Sequence, residues 1–169
     1  MRTRSIVLLG WLMASHLLSA CAGHLRDGVY SRGEVRYRIG PLPPAWTAVG
    51  LEGNDVAFFE STSGHSLAVN ATCEGFDDPP LEVLTRHLLM GFTQRVTILE
   101  TTLLLDGRAA LRSHVSATLD GVPVELVLVV LKKNGCVYDF TLLAPPGQLA
   151  PALPTFDALL ATFHVAVRT

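Results

Sequence analysis

Charge is scarce in this chain. Asp, Glu, Lys and Arg make up 17% of its 169 residues, and the net charge is −2. Both signs are scattered, and no basic stripe of the kind that neutralises phosphates occurs. Nucleic acid is therefore not an expected partner. Long apolar runs are missing too: no stretch reaches the roughly 18 consecutive apolar residues of a spanning helix. No GxSxG, HExxH, P-loop or dinucleotide fingerprint is present, so none of the reactions those motifs support is indicated. There are no internal repeats and no low-complexity segments. Apolar residues are plentiful, at 49%. A chain of this length and composition buries a sizeable core and forms one domain, or one domain with a tether.

The N-terminus is a signal. Met1-Arg2-Thr3-Arg4 is a short basic region, and Ile6 to Leu18 is an apolar one, too short to span. Leu18-Ser19-Ala20-Cys21 follows. It resembles the bacterial lipobox: an aliphatic residue, two small ones that fit an extended chain into the peptidase cleft, and a Cys whose thiol takes a diacylglyceryl group as a thioether. The alternative is a plain secretory signal cut near Ala20. With the lipobox, residues 1–20 are removed and Cys21 carries the acyl chains, palmitate among them. Arg2 and Arg4 go with the signal, leaving 11 basic against 15 acidic residues. Two or three acyl chains hold a protein stably at a bilayer. Ala22, in place of an Asp, leans the anchor toward the outer membrane, facing the periplasm.

Cysteine is rare, at three residues. Lipidation uses Cys21 and leaves Cys73 and Cys136. In an oxidising compartment two leftover cysteines pair, and their Cα atoms are then expected within about 7 Å. The alternative is two reduced core cysteines. No CxxC and no neighbouring His gives either one zinc-ligand spacing, so neither metal nor cofactor is expected.

Residues 21–33 read as a lipidated N-terminus and short tether, and 34–169 as a single domain. Strands are expected at 35–39, 46–49, 56–60 and 66–72 from their alternating patterns. Asp77-Asp78-Pro79-Pro80 announces a helix, with Asp as cap, Pro in the first turn, and Leu81, Leu84, Leu88 and Phe92 on one face through about Gln94. From Val96 to Leu143 the pattern is a β meander. Its turns are Asp106-Gly107, Asp120-Gly121 and Asn134-Gly135, spaced 14 residues apart. These dipeptides favour type I′ turns, which need positive φ at both central positions. Pro145-Pro146-Gly147 breaks the chain, and a second helix is expected from near Pro154 to Phe163.

Two-residue turns fix the register, pairing Leu105 with Arg108, Leu119 with Val122 and Lys133 with Cys136. Both faces of the central strands are then apolar. A sheet with one wet face alternates more cleanly, so cover is expected on both sides. The fold class is α+β, an antiparallel sheet with helices on both faces.

The same register gathers Arg112, His114, Ser116 and Glu125. Arg112, His114 and Glu125 form a candidate polar site, or else a wet corner of the sheet or a structural ion pair. His65 reads as a solvated loop residue, and Trp46 as a core anchor.

Three features carry a family resemblance. A short strand leads into Pro43-Pro44-Ala45-Trp46, a long meander follows the first helix, and Phe156-Asp157-Ala158-Leu159-Leu160-Ala161-Thr162-Phe163 closes the chain. The arrangement resembles the Mog1/PsbP-like superfamily and its bacterial lipoprotein members, from about Val35 onward. That resemblance implies an α/β/α sandwich and a mostly non-enzymatic life. The expected function is a lipid-anchored, non-catalytic binding or assembly module with an envelope protein partner. The alternatives are a carrier of a small apolar ligand, or an enzyme working through the polar group at Arg112, His114 and Glu125.

Overall fold

The computed structural model describes residues 23–73 and 78–166. The signal segment, the lipobox with Cys21, and Asp77 lie outside the described residues. Strands β1 (His24–Arg26), β2 (Val29–Arg32) and β3 (Val35–Arg38) come first, then β4 (Trp46–Val49), β5 (Val56–Glu60) and β6 (His65–Thr72). Helix α1 (Leu81–Leu88) follows, then β7 (Phe92–Leu105), β8 (Arg108–Leu119), β9 (Val122–Lys133) and β10 (Cys136–Ala144). A 3-10 turn at Ala150–Ala152 leads into α2 (Leu153–Thr162), and β11 (His164–Val165) comes last.

These strands form two antiparallel sheets. The large one has the order β4-β5-β6-β10-β9-β8-β7, and the small one β1-β2-β3-β11. In the large sheet the tight turns set the geometry. Asp106, Asp120 and Asn134 sit at φ 46°, 49° and 53°, and the glycine after each is positive as well. The pairs Leu105–Arg108, Leu119–Val122 and Lys133–Cys136 are those the turn length dictates.

The small sheet corrects the expected tether. Residues 24–26 and 29–32 are strands, and Tyr30 is almost wholly buried. Asp27-Gly28 is another Asp-Gly turn with both φ positive, and it folds β1 against β2. Tyr30 stacks on Tyr37 at 5.0 Å, and Tyr37 meets Tyr138 of the large sheet edge-on at 6.2 Å. The folded domain therefore begins at about His24, ahead of the expected boundary at 34.

Each face of the large sheet has its own core. On one, Val127, Val129, Leu131, Phe140 and Leu142 pack with Phe156, Leu159 and Leu160 of α2. The small sheet shares that face through Tyr30, Val35 and Tyr37. Phe156 and Phe163 are fully buried, and each such aromatic contributes about 3 kcal/mol of transfer free energy. On the other face, Leu88 and Leu89 pack with Val115, Ala117, Val124, Leu126 and Leu128. There α1 covers only part of the surface. Beyond it Val49 and Phe59 stay exposed. One helix per face is thus an incomplete description: α2 shares its face with a second sheet, and α1 is too short to span its own.

Helix α1 also ends earlier than its apolar spacing predicts. Gly91 at φ 91° turns the chain. Phe92 then opens β7, where Thr93, Val96, Thr97 and Ile98 favour the strand as β-branched residues. The expected Asp cap does not form at Asp78. Pro80 holds the N-cap position without a side-chain bond, and Asp78 pairs instead with Lys132 at 2.7 Å.

Candidate functional site

Arg112 and His114 lie on β8, and Glu125 faces them from β9. The register places Ser116 opposite Glu125 and Arg112 opposite Val129. The His114 Nε2 lies 4.0 Å from Glu125 Oε2. That nitrogen is buried and has no hydrogen-bond partner among the described residues. Arg112 turns the other way. Its guanidinium donates to Asp157 of α2 at 2.6 Å and sits 5.7 Å from the centre of the Phe156 ring. The structure therefore brings His114 and Glu125 together and gives Arg112 to the seam between sheet and helix. The three do not converge on one point.

Cys73 and Cys136 form a disulfide with Cα atoms 4.0 Å apart. It joins the end of β6 to the start of β10, which are paired neighbours in the large sheet. Among the described residues, no group of three His, Cys, Asp or Glu side chains could hold a metal ion.

Two polar clusters escaped the sequence reading. In the first, His65 is buried, where a solvated loop histidine was expected. Trp46 stacks over its ring at 6.2 Å. Its Nδ1 meets Ser63 Oγ at 2.6 Å, and its Nε2 meets the Gln148 carbonyl at 2.7 Å. Ser63 in turn bonds Glu60, whose carboxylate also accepts the backbone N–H groups of Thr62 and Ser63. Those bonds, the Ser63 hydroxyl foremost, hold Glu60 down at about 2. A serine, a histidine and a glutamate meet here, but in the wrong order for nucleophilic catalysis. The carboxylate holds the serine, and the far imidazole nitrogen is spent on a carbonyl. The cluster ties the β5–β6 turn to the loop before α2.

In the second cluster, Asp55 accepts from the Tyr30 hydroxyl at 2.9 Å, Arg32 at 2.8 Å and the Ala71 N–H at 2.9 Å. Asn70 accepts from the Asp55 N–H and donates to Asp139 Oδ1, both at 2.9 Å. This chain fastens the small sheet to the large one. Two signals foreshadowed it: an Asp just before a strand, and charged or amide residues inside otherwise apolar strands.

The most exposed apolar element is β7, which ends the large sheet. Leu104 is 77% exposed, Val96 60%, Leu99 58% and Ile98 52%. Edge strands are usually guarded by Lys, Pro or inward charge. The sequence of β7 has no Lys and no Pro. Its Arg95 bonds back to the Leu89 carbonyl, and its Glu100 accepts from the Ser113 hydroxyl. Register irregularities fall between Thr93 and Leu99, and beyond them Leu99–Leu105 pairs evenly with β8. That stretch leaves its outer N–H and C=O groups for another strand.

A cleft of about 720 Å³ lies between the small sheet and α2, lined by Leu25, Ile39, Leu42, Phe58 and Ala161 among others. It is mainly apolar, with Asp27, Arg38 and His164 also on its lining. No helix among the described residues is long and apolar enough to cross a membrane.

No family model matches the chain, and no curated protein matches it. Solved structures do. The chain is similar to the cyanobacterial PsbP protein CyanoP of Synechocystis, with TM-score 0.56, 18% identity, and coverage of 93% of this chain and 100% of that one. It is similar to LpqN of Mycobacterium tuberculosis, described as involved in cell envelope biogenesis, with TM-score 0.58 and 14% identity over 80% of this chain and 87% of that one. It is also similar to a variant of Mog1, with TM-score 0.52 and 13% identity over 82% and 90%. At these identities the likeness speaks for architecture alone: two antiparallel sheets and two helices arranged as a Mog1/PsbP-like fold.

Proposed function

We propose that this protein is a lipid-anchored component of the bacterial envelope whose domain is a non-catalytic binding or assembly module. The lipobox at Leu18–Cys21 supports the anchor. The observation that carries the binding reading is the outer edge of β7, regular from Leu99 to Leu105 and with Leu99 and Leu104 exposed along it. Such an edge accepts a strand from a partner: main-chain hydrogen bonds supply affinity, and alternate side chains supply selectivity. The likeness to LpqN fits an envelope setting. The dispersed polar groups, with Arg112 committed to Asp157, favour contact over catalysis.

A photo-crosslinking residue at position 104, introduced in cells, tests this reading. It is expected to trap one defined envelope protein, or a second copy if the assembly is a homo-oligomer. Leu99→Lys should abolish the crosslink while leaving the domain folded. A β7 that traps nothing, or a crosslink indifferent to Leu99→Lys, overturns the proposal.

A further inference from the structure

Helix α1 lies over the large sheet with a cleft of about 170 Å³ between them. Leu84, His87 and Leu88 line it from the helix, and Val130, Val137 and Asp139 from the sheet. Asp139 is 9% exposed. Its Oδ1 accepts from Asn70 at 2.9 Å, and no other described residue hydrogen-bonds the carboxyl. Asn70 is itself held by the Asp55 N–H, so it has no freedom to serve the second oxygen. His87 lines the same cleft, and no ion pair within 4.0 Å joins it to Asp139.

A carboxyl whose second oxygen has no hydrogen-bond partner among the described residues, in a cleft lined by Leu84, Leu88, Val130 and Val137 together with Thr72 and His87, is costly without a matching cation or donor. The space is close to the ~150 Å³ cavity that takes up a benzene-sized molecule. We propose that this cleft is a binding site for a small primary amine with a hydrocarbon body. The ammonium pairs with the free oxygen of Asp139, and the hydrocarbon packs against Leu84, Leu88, Val130 and Val137. Burial pushes the Asp139 carboxyl up to about 6, which still leaves it mainly ionised at neutral pH. The inference is independent of the lipid anchor and of β7.

Cyclohexylamine hydrochloride is the probe, titrated into the folded domain at neutral pH and followed by backbone amide NMR. Cyclohexanol serves as the neutral counterpart. Saturable shifts are expected at Leu84, Leu88, Val130 and Val137. Affinity should drop by about tenfold or more for cyclohexanol, and equally for the amine on Asp139→Asn, because a charge-assisted bond is lost. Leu84→Phe, which fills the cleft from the helix side and keeps the carboxyl, should also remove binding. Absence of saturable shifts in the wild-type protein overturns the proposal. So does equal binding of amine and alcohol, or amine binding that survives both substitutions.

Discussion

Asp139 links stability to acidity. Its carboxyl titrates at about 6 in the folded protein because burial penalises the ion, against about 3.9 in an unfolded chain. Between those values the folded state holds more protons than the unfolded one, so stability falls as pH rises from about 4 to about 6. The penalty is absent below that window and complete above it, at about 2–3 kcal/mol. Asp139→Asn should flatten this part of the pH–stability curve and stabilise the domain at neutral pH, as read from urea midpoints at several pH values. Arg112 is predicted to matter little. Its bond to Asp157 is partly exposed, so Arg112→Ala should cost about 1 kcal/mol or less in the same assay. The difference between these residues marks what the sequence can disclose. Register arithmetic placed His114 beside Glu125 because both belong to one hairpin. It missed the direction of Arg112, which is decided by an acid on α2, 45 residues further on. It also missed the burial of His65, which depends on Trp46 and Gln148 from two separate segments.

Elements were legible where a local signal fixed them. The turns at 106, 120 and 134 set three hairpins because their dipeptides tolerate positive φ at both centres. Asp27-Gly28 carries the same signal inside a segment whose polar composition resembles a tether. At the end of α1 Phe92 continues the helical spacing, but Gly91 and the β-branched run after it decide the outcome. Edge position was not legible at all. The pattern of β7 matches that of an inner strand, and only the order of the sheet shows that nothing described lies beyond it. Two predictions belong at this scale. Leu99→Lys should leave stability within about 0.5 kcal/mol, since the side chain is mostly exposed, and thermal unfolding checks that separately from the crosslink. Replacing Cys73 and Cys136 together by Ser should lower unfolding free energy by about 4 kcal/mol in the loop-entropy account. Added reductant should reproduce the loss in the wild-type protein and leave the Ser variant unchanged.

For the molecule as a whole, the expected anchor and the observed start of the fold act together. With Cys21 lipidated, as proposed, only Ala22 and Gly23 separate the acylated residue from β1, three Cα–Cα steps in all. Extended chain of that length reaches about 10 Å, so the domain rides on the bilayer surface with no leash. Cys21→Ala should release the protein into the soluble fraction, and retention in washed membranes would refute the lipobox reading. The disulfide has a consequence of another kind. It welds two neighbouring strands that lie 63 positions apart in the chain. Everything from residue 74 to residue 135, including α1 and β7–β9, thus forms a covalent ring closed at the sheet. A protease that cuts once anywhere in this ring opens it without dividing the molecule, and both new ends stay attached to the same two strands. Only a reductant separates the pieces, so a nicked chain keeps its full mass until thiol is added.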